Sequence, residues 1–134
     1  MIHDKDYIIR IVKQFSEFLA GLLLGKNEGE PSEQEMVFET QMKDVFRMTF
    51  EELDAMSVEE ISAIVSTKDA AHQLAYVELL GHLFFFKFQQ DKSVDRALKA
   101  KVFYERWLSE SQIFSLPVMA RTGELTSYLE NTGK

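Results

Sequence analysis

Residues 76–107 read YVELLGHLFFFKFQQDKSVDRALKAKVFYERW. The first half is apolar on most sides: Val77, Leu79, Leu80, Leu83, Phe84, Phe85, Phe86 and Phe88 leave no broad polar face. A helix of that kind lies at the centre of a packed structure or under a partner. Asp91, Lys92 and Ser93 interrupt the run, and Ser93 is a good N-cap for a second helix. Ala97, Leu98, Val102, Phe103, Trp107 and Leu108 then recur at helical spacing. The stretch therefore predicts two helices back to back, over about 70–89 and 94–111, with Leu79, Leu80 and Gly81 near the middle of the first. Asp69 is placed to cap that helix.

The same periodicity extends toward both ends. Ile8, Ile11, Val12, Phe15, Phe18, Leu19, Leu22 and Leu23 hold one helix face for four turns, predicting a helix over 5–24. Asp4 or Asp6 suits its start, and Gly25 suits a left-handed stop. Residues 26–31 (KNEGEP) form an exposed loop, too short to separate domains. Three pairs then place a hydroxyl three residues before a glutamate: Ser32 with Glu35, Thr49 with Glu52, and Ser57 with Glu60. Each reads as a capping box, predicting helices over 33–48, 50–56 and 58–65. Met36, Val37, Met42, Val45 and Phe46 supply the apolar face of the first of these. Ser115 and Pro117 open a last helix reaching about residue 130, with Gly123 weakening its middle and residues 131–134 fraying. No segment alternates as a strand does. The chain reads as all-α, a compact helical bundle in a single domain over residues 1–134.

Composition bounds the rest. The chain has 134 residues, 46% of them hydrophobic, with 11 Phe and no Cys. That length buries enough apolar surface to fold without a staple. Lack of cysteine excludes disulfides, thiolate nucleophiles and cysteine metal sites. The longest apolar runs, 18–25 and 83–86, fall well short of the ~20 residues of a membrane span, and the charged opening MIHDKDYIIRIVKQF is unlike a signal peptide. A cytoplasmic protein is the expectation. The net charge of −7 argues against nucleic acid as a partner. Acidic side chains concentrate in residues 28–60, where only Lys43 and Arg47 oppose them. Residues 87–106 are instead rich in bases, with Lys87, Lys92, Arg96, Lys99, Lys101 and Arg106. The simplest reading of both runs is solvated helix faces.

Val77, Leu80, Gly81 and Phe84, followed by Ala100 and Tyr104, resemble the helical hairpin of a tetratricopeptide (TPR) unit. The resemblance implies that Gly81 lets the second helix approach closely while the aromatics fill the space between the two. It covers about a quarter of the chain. Trp107 stands where the repeat has a small residue, no closing proline comes after it, and no second copy occurs. The opening Asp6-Tyr7-Ile8-Ile9-Arg10-Ile11-Val12, with Phe15 and Leu19, makes the whole chain resemble a family of short all-helical proteins of uncharacterised function in Gram-positive bacteria. That resemblance implies a bacterial cytosolic protein and no catalytic residues.

Little chemistry is written in the motifs. The histidines are His3, His72 and His82. Asp69 with His72, and Glu78 with His82, have one-face spacing, but a metal centre needs further ligands. No nucleophile elbow or phosphate loop occurs. The reading is a non-enzymatic protein- or peptide-interaction module without cofactor, with homodimerisation through the first helix as its simplest form. Lys87, Arg96, Lys99 and Arg106 are the candidate contact residues for that partner. The alternative is a small-molecule or regulatory-ligand binder with a pocket between helices lined by Phe84, Phe85 and Trp107.

Overall fold

The computed structural model of the chain describes residues 4–26 and 29–132. Among them seven helices succeed one another and no strand occurs: α1 (Asp4–Leu23), α2 (Pro31–Phe46), α3 (Phe50–Asp54), α4 (Val58–Ser66), α5 (Ala70–Gln90), α6 (Val94–Ser111) and α7 (Leu116–Thr132). The architecture is all-α, as the periodicity predicts. No helix among the described residues is long and apolar enough to cross a membrane. Where the sequence reading has one domain, the chain divides into two compact units, Met1–Thr67 and Lys68–Lys134.

In the first unit, α1 buries Val12, Phe15 and Leu19 completely, one residue per turn of its apolar face. Gly25 ends the helix with φ 78°, and the Lys26 N–H reaches back to the Gly21 carbonyl at 2.9 Å, the six-residue closure that a left-handed glycine permits. Phe15 meets the ring edge of Phe38 on α2 at 5.6 Å, and Phe38 in turn meets Phe50 on α3 at 6.3 Å. Phe38 is thus the core residue of α2, together with Met42, Val45 and Phe46. Met36 and Val37, expected on that face, are exposed at 69% and 42%; the helix presents one stripe inward, and they fall outside it.

Two of the three expected capping boxes form. Thr49 and Ser57 accept from the amides of Glu52 and Glu60 at 3.2 and 3.1 Å, and both glutamates reach back to the cap amides. Ser32 does not cap. Pro31 starts α2 two residues earlier than expected, with Glu30 at the cap position, so Ser32 already lies inside the first turn. A proline at a helix start is the stronger signal because its fixed φ suits that position. Pro31 therefore belongs to α2 rather than to the expected loop 26–31, in which Asn27 and Glu28 lie outside the described residues.

In the second unit, α5 and α6 form an antiparallel hairpin joined by Asp91, Lys92 and Ser93. Pairs across it run in opposite senses: Phe84 stacks on Phe103, while Arg96 reaches the Lys87 carbonyl. The Ser93 hydroxyl accepts the Arg96 amide at 3.2 Å, as expected of a cap. Gly81 sits where the helices are closest. A β-carbon there would lie 2.7 Å from Cε1 of Tyr104 and closer still to Cδ1. The hairpin closes only because that hydrogen is not a methyl group.

The inward face of α6 is Ala97, Ala100, Phe103, Tyr104 and Trp107. Leu98 and Val102, expected to point inward, are 46% and 37% exposed. They share an outer line with Val94 at four-residue steps, a geometry compatible with the sequence period but pointing away from the core. Gln112, with φ 57°, ends α6 and turns the chain toward α7. There the Ser115 hydroxyl accepts the Val118 amide at 3.3 Å, and Pro117 lies one position inside the helix start. Helix α7 stays helical through Gly123 and on to Thr132, whose hydroxyl bonds the Tyr128 carbonyl at 2.9 Å. Asn131 and Thr132, expected to fray, are helical; residues 133 and 134 lie outside the described residues.

Candidate functional site

The four bases proposed as contacts are engaged within the chain. Lys99 is only 3% exposed: its ammonium meets the Asp95 carboxylate at 2.8 Å and lies 5.5 Å over the Phe84 ring. It is not part of an outer face, because its stem runs along the apolar side of α6 before the charge reaches Asp95. Arg96 bonds the carbonyls of Lys87 and Asp91 at the hairpin turn and meets the Asp91 carboxylate at 3.6 Å. Arg106 pairs with Glu110 at 3.0 Å and reaches Gln73 at 3.5 Å. Lys87 lies in the last turn of α5, where its carbonyl receives Arg96. These residues are neighbours on one hairpin, but their charges are largely matched locally.

The three pocket candidates are core residues. Phe84 is fully buried and stacks on Phe103 at 6.3 Å with an 18° angle between rings. Phe85 packs against Phe88 and Tyr104, and the Arg121 guanidinium covers its ring at 5.5 Å. Trp107 is 7% exposed. Rings at helical spacing have filled space here rather than enclosed it.

Of the histidine candidates, Glu78 and His82 come together, with Nε2 of His82 3.8 Å from the carboxylate. His72 does not complete a set: no three His, Asp or Glu side chains gather in metal-binding reach among the described residues. Instead His82 joins a network that the sequence reading missed. Its Nδ1 lies 2.7 Å from the Tyr104 hydroxyl, and Arg121 of α7 reaches Tyr104 Oη at 3.2 Å and His82 Nδ1 at 3.4 Å. Arginine only donates, so Nδ1 faces a donor on one side. The Tyr104 hydroxyl, receiving Arg121, then gives its own proton to Nδ1, and the ring carries its hydrogen on Nε2 toward Glu78. Burial pushes the Tyr104 phenol well above the ordinary range and the Arg121 cation opposes it, so the hydroxyl stays protonated. The arrangement fixes α7 on the hairpin. Removing the hydroxyl by Tyr104→Phe is expected to cost about 1–2 kcal/mol, because His82 loses its nearest partner and Arg121 an acceptor. Urea unfolding of the full chain measures it, and an unchanged midpoint would show the network to be decorative.

With Arg121 turned inward beside Val118, Leu125 and the Tyr128 ring that meets Phe88 at 4.9 Å, the opposite side of α7 faces out. Met119, Thr122, Gly123 and Thr126 line one wall of an open groove of about 640 Å³, and Glu105, Leu108 and Ser109 of α6 line the other. Of the exposed large apolar side chains of this unit, Met119 lies in that lining. Val94, Leu98 and Val102 run along α6, and Ile113, Phe114, Leu116 and Met119 crowd the α6–α7 connection, with Phe114 73% exposed. The sequence carried a signal for this face: in 116–123, Arg121 is the lone charge, so the side of α7 opposite it had to be apolar or small.

The fold and this face define a class no narrower than an all-α protein with a grooved helical unit. Set beside known protein families, curated proteins and solved structures, the chain matches none.

Proposed function

We propose that this chain is a non-enzymatic protein- or peptide-interaction module that works through the α6–α7 face. The observation that carries the reading is the number of exposed large apolar side chains on α6, α7 and their connection, together with a groove open to solvent between the two helices. Isolated exposed hydrophobics are ordinary on a folded protein; a number of them on the two helices that form a groove marks a contact surface. The contact face proposed here replaces both the basic residues of the hairpin and α1, whose Val12, Phe15 and Leu19 are occupied in the core. The close passage of Tyr104 over Gly81 supports the TPR-like character of the hairpin, a scaffold that presents surfaces rather than performs chemistry.

The test is photo-crosslinking in the native host from a benzophenone amino acid at Phe114, with the same group at the exposed Lys92 as control. A discrete adduct from position 114 alone, lost on Leu116→Glu, is the expected result. Identical adduct patterns from both positions would overturn the reading.

A further inference from the structure

Helix α7 is the least integrated helix of the second unit. Over 17 residues it buries two, Val118 and Leu125, whereas α5 buries ten and α6 six. Its composition adds little helical stability. Val118, Thr122, Gly123, Thr126 and Ser127 are weak helix formers. No acid stands in its first turn and no base in its last, so the macrodipole goes unmatched. Gly123 is the costliest of these residues, and a β-carbon placed on it would meet nothing within 4 Å. A short helix of such composition does not hold its shape alone in water, so α7 is ordered by what it packs against.

What it packs against is aromatic. The Arg121 guanidinium lies over the Phe85 ring at 5.5 Å, and the Tyr128 ring meets Phe88 edge-on at 4.9 Å. Glu124 accepts a hydrogen bond from Gln89 at 2.8 Å, in an exposed position. The tie to buried polar groups is that of Arg121 to Tyr104 and His82. It is released without stranding a buried group. Tyr104 and His82 both belong to the hairpin, lie 2.7 Å apart and stay paired when Arg121 withdraws, and the guanidinium finds its acceptors in water. The closure of the hairpin does not use α7 either. The Tyr104 ring over Gly81, the Phe84–Phe103 stack and the Arg96 bond to the Lys87 carbonyl all run between α5 and α6.

We infer that α7 is a releasable strap. It lifts from the hairpin and melts as one unit while α5 and α6 stay closed, and its release uncovers Phe85, Phe88 and the Tyr104–His82 pair. Residues 112–115, between α6 and α7, are the joint. Openings of this kind are drawn from the least stable parts of a structure. The strap goes beyond the interaction-module reading and does not depend on it, yet the two are coupled. A body seated in the α6–α7 groove touches both helices and holds the strap down.

Amide hydrogen exchange of the full chain, read by mass spectrometry and corrected for unfolded-chain rates, tests this. Peptides over 116–132 are expected to exchange at least about tenfold faster than the slowest amides over 79–90. Phe103→Leu weakens the stack that holds α5 to α6. It should speed those slowest α5 amides about tenfold and leave α7 unchanged, because the hairpin is closed both before and after α7 lifts. Gly123→Ala should slow exchange in α7 about fivefold, the ratio set by the helix propensities of the two residues, because the released helix melts. Equal protection of the two segments, or Phe103→Leu speeding both alike, would show that α7 opens only when the whole unit does and would overturn the strap. An unchanged α7 rate in Gly123→Ala would equally overturn it, since release would then leave the helix intact.

Discussion

Gly81→Ala is expected to lower the stability of the second unit by about 2–3 kcal/mol, although alanine is the better helix former. The methyl group would fall on the edge of the Tyr104 ring, 2.7 Å from Cε1. The ring has no room to retreat. Tyr104 is fully buried, packs against Phe85 at 6.1 Å, and its hydroxyl is held by His82 and Arg121. Relief would require either spreading α5 and α6 or breaking the bond to His82, and both cost more than the roughly 1 kcal/mol that alanine gains in helix propensity. Spreading the hairpin would also uncover the Phe84–Phe103 stack one turn away. Urea denaturation read by circular dichroism measures the loss. A double-mutant cycle with Tyr104→Leu sharpens it: with the ring shortened, the alanine should be tolerated, and the coupling should be about 1 kcal/mol or more. A Gly81→Ala variant as stable as the parent would mean that the hairpin is looser than described.

Phe15→Ala should have a larger effect, about 3–5 kcal/mol, in the first unit. Phe15 is wholly buried in the middle of α1, between Val12 and Leu19 on the same stripe. Its ring meets the edge of Phe38, which in turn meets Phe50. Truncation leaves a cavity lined by aromatic edges that cannot collapse without shifting α2, and it also removes an edge-to-face contact worth about 0.5–1.5 kcal/mol. Phe15→Leu, which keeps most of the volume, should cost less than half as much. Equal losses for the two substitutions in the same denaturation experiment would refute the packing argument.

The helices were legible because their signals are local. Thr49 with Glu52 and Ser57 with Glu60 cap where hydroxyl and carboxylate spacing places them, and Gly25 turns left-handed where periodicity stops. The faces were less legible. Val94, Leu98 and Val102 have core-like character and core-like spacing, yet they point outward, because α6 offers several apolar lines and neighbouring helices choose among them. A run such as residues 83–88 is apolar all round, so it records burial without direction. The His82–Tyr104–Arg121 network joins residues 22 and 39 positions apart in the chain, and no spacing rule links them. Lys99 shows the same limit from the polar side: its burial comes from the Phe84 ring beneath it, whereas its sequence neighbours suggested a solvated charge.

The chain contains one tryptophan, Trp107, buried on the inner side of α6. The first unit holds no tryptophan, and Tyr7 is its sole tyrosine. Intrinsic emission excited at the red edge therefore reports on Lys68–Lys134 alone, while far-ultraviolet circular dichroism weighs the helices of both units. Recording the two signals along one denaturation curve gives an optical separation of the halves without any label, and Phe15→Ala and Gly81→Ala supply a perturbation for each.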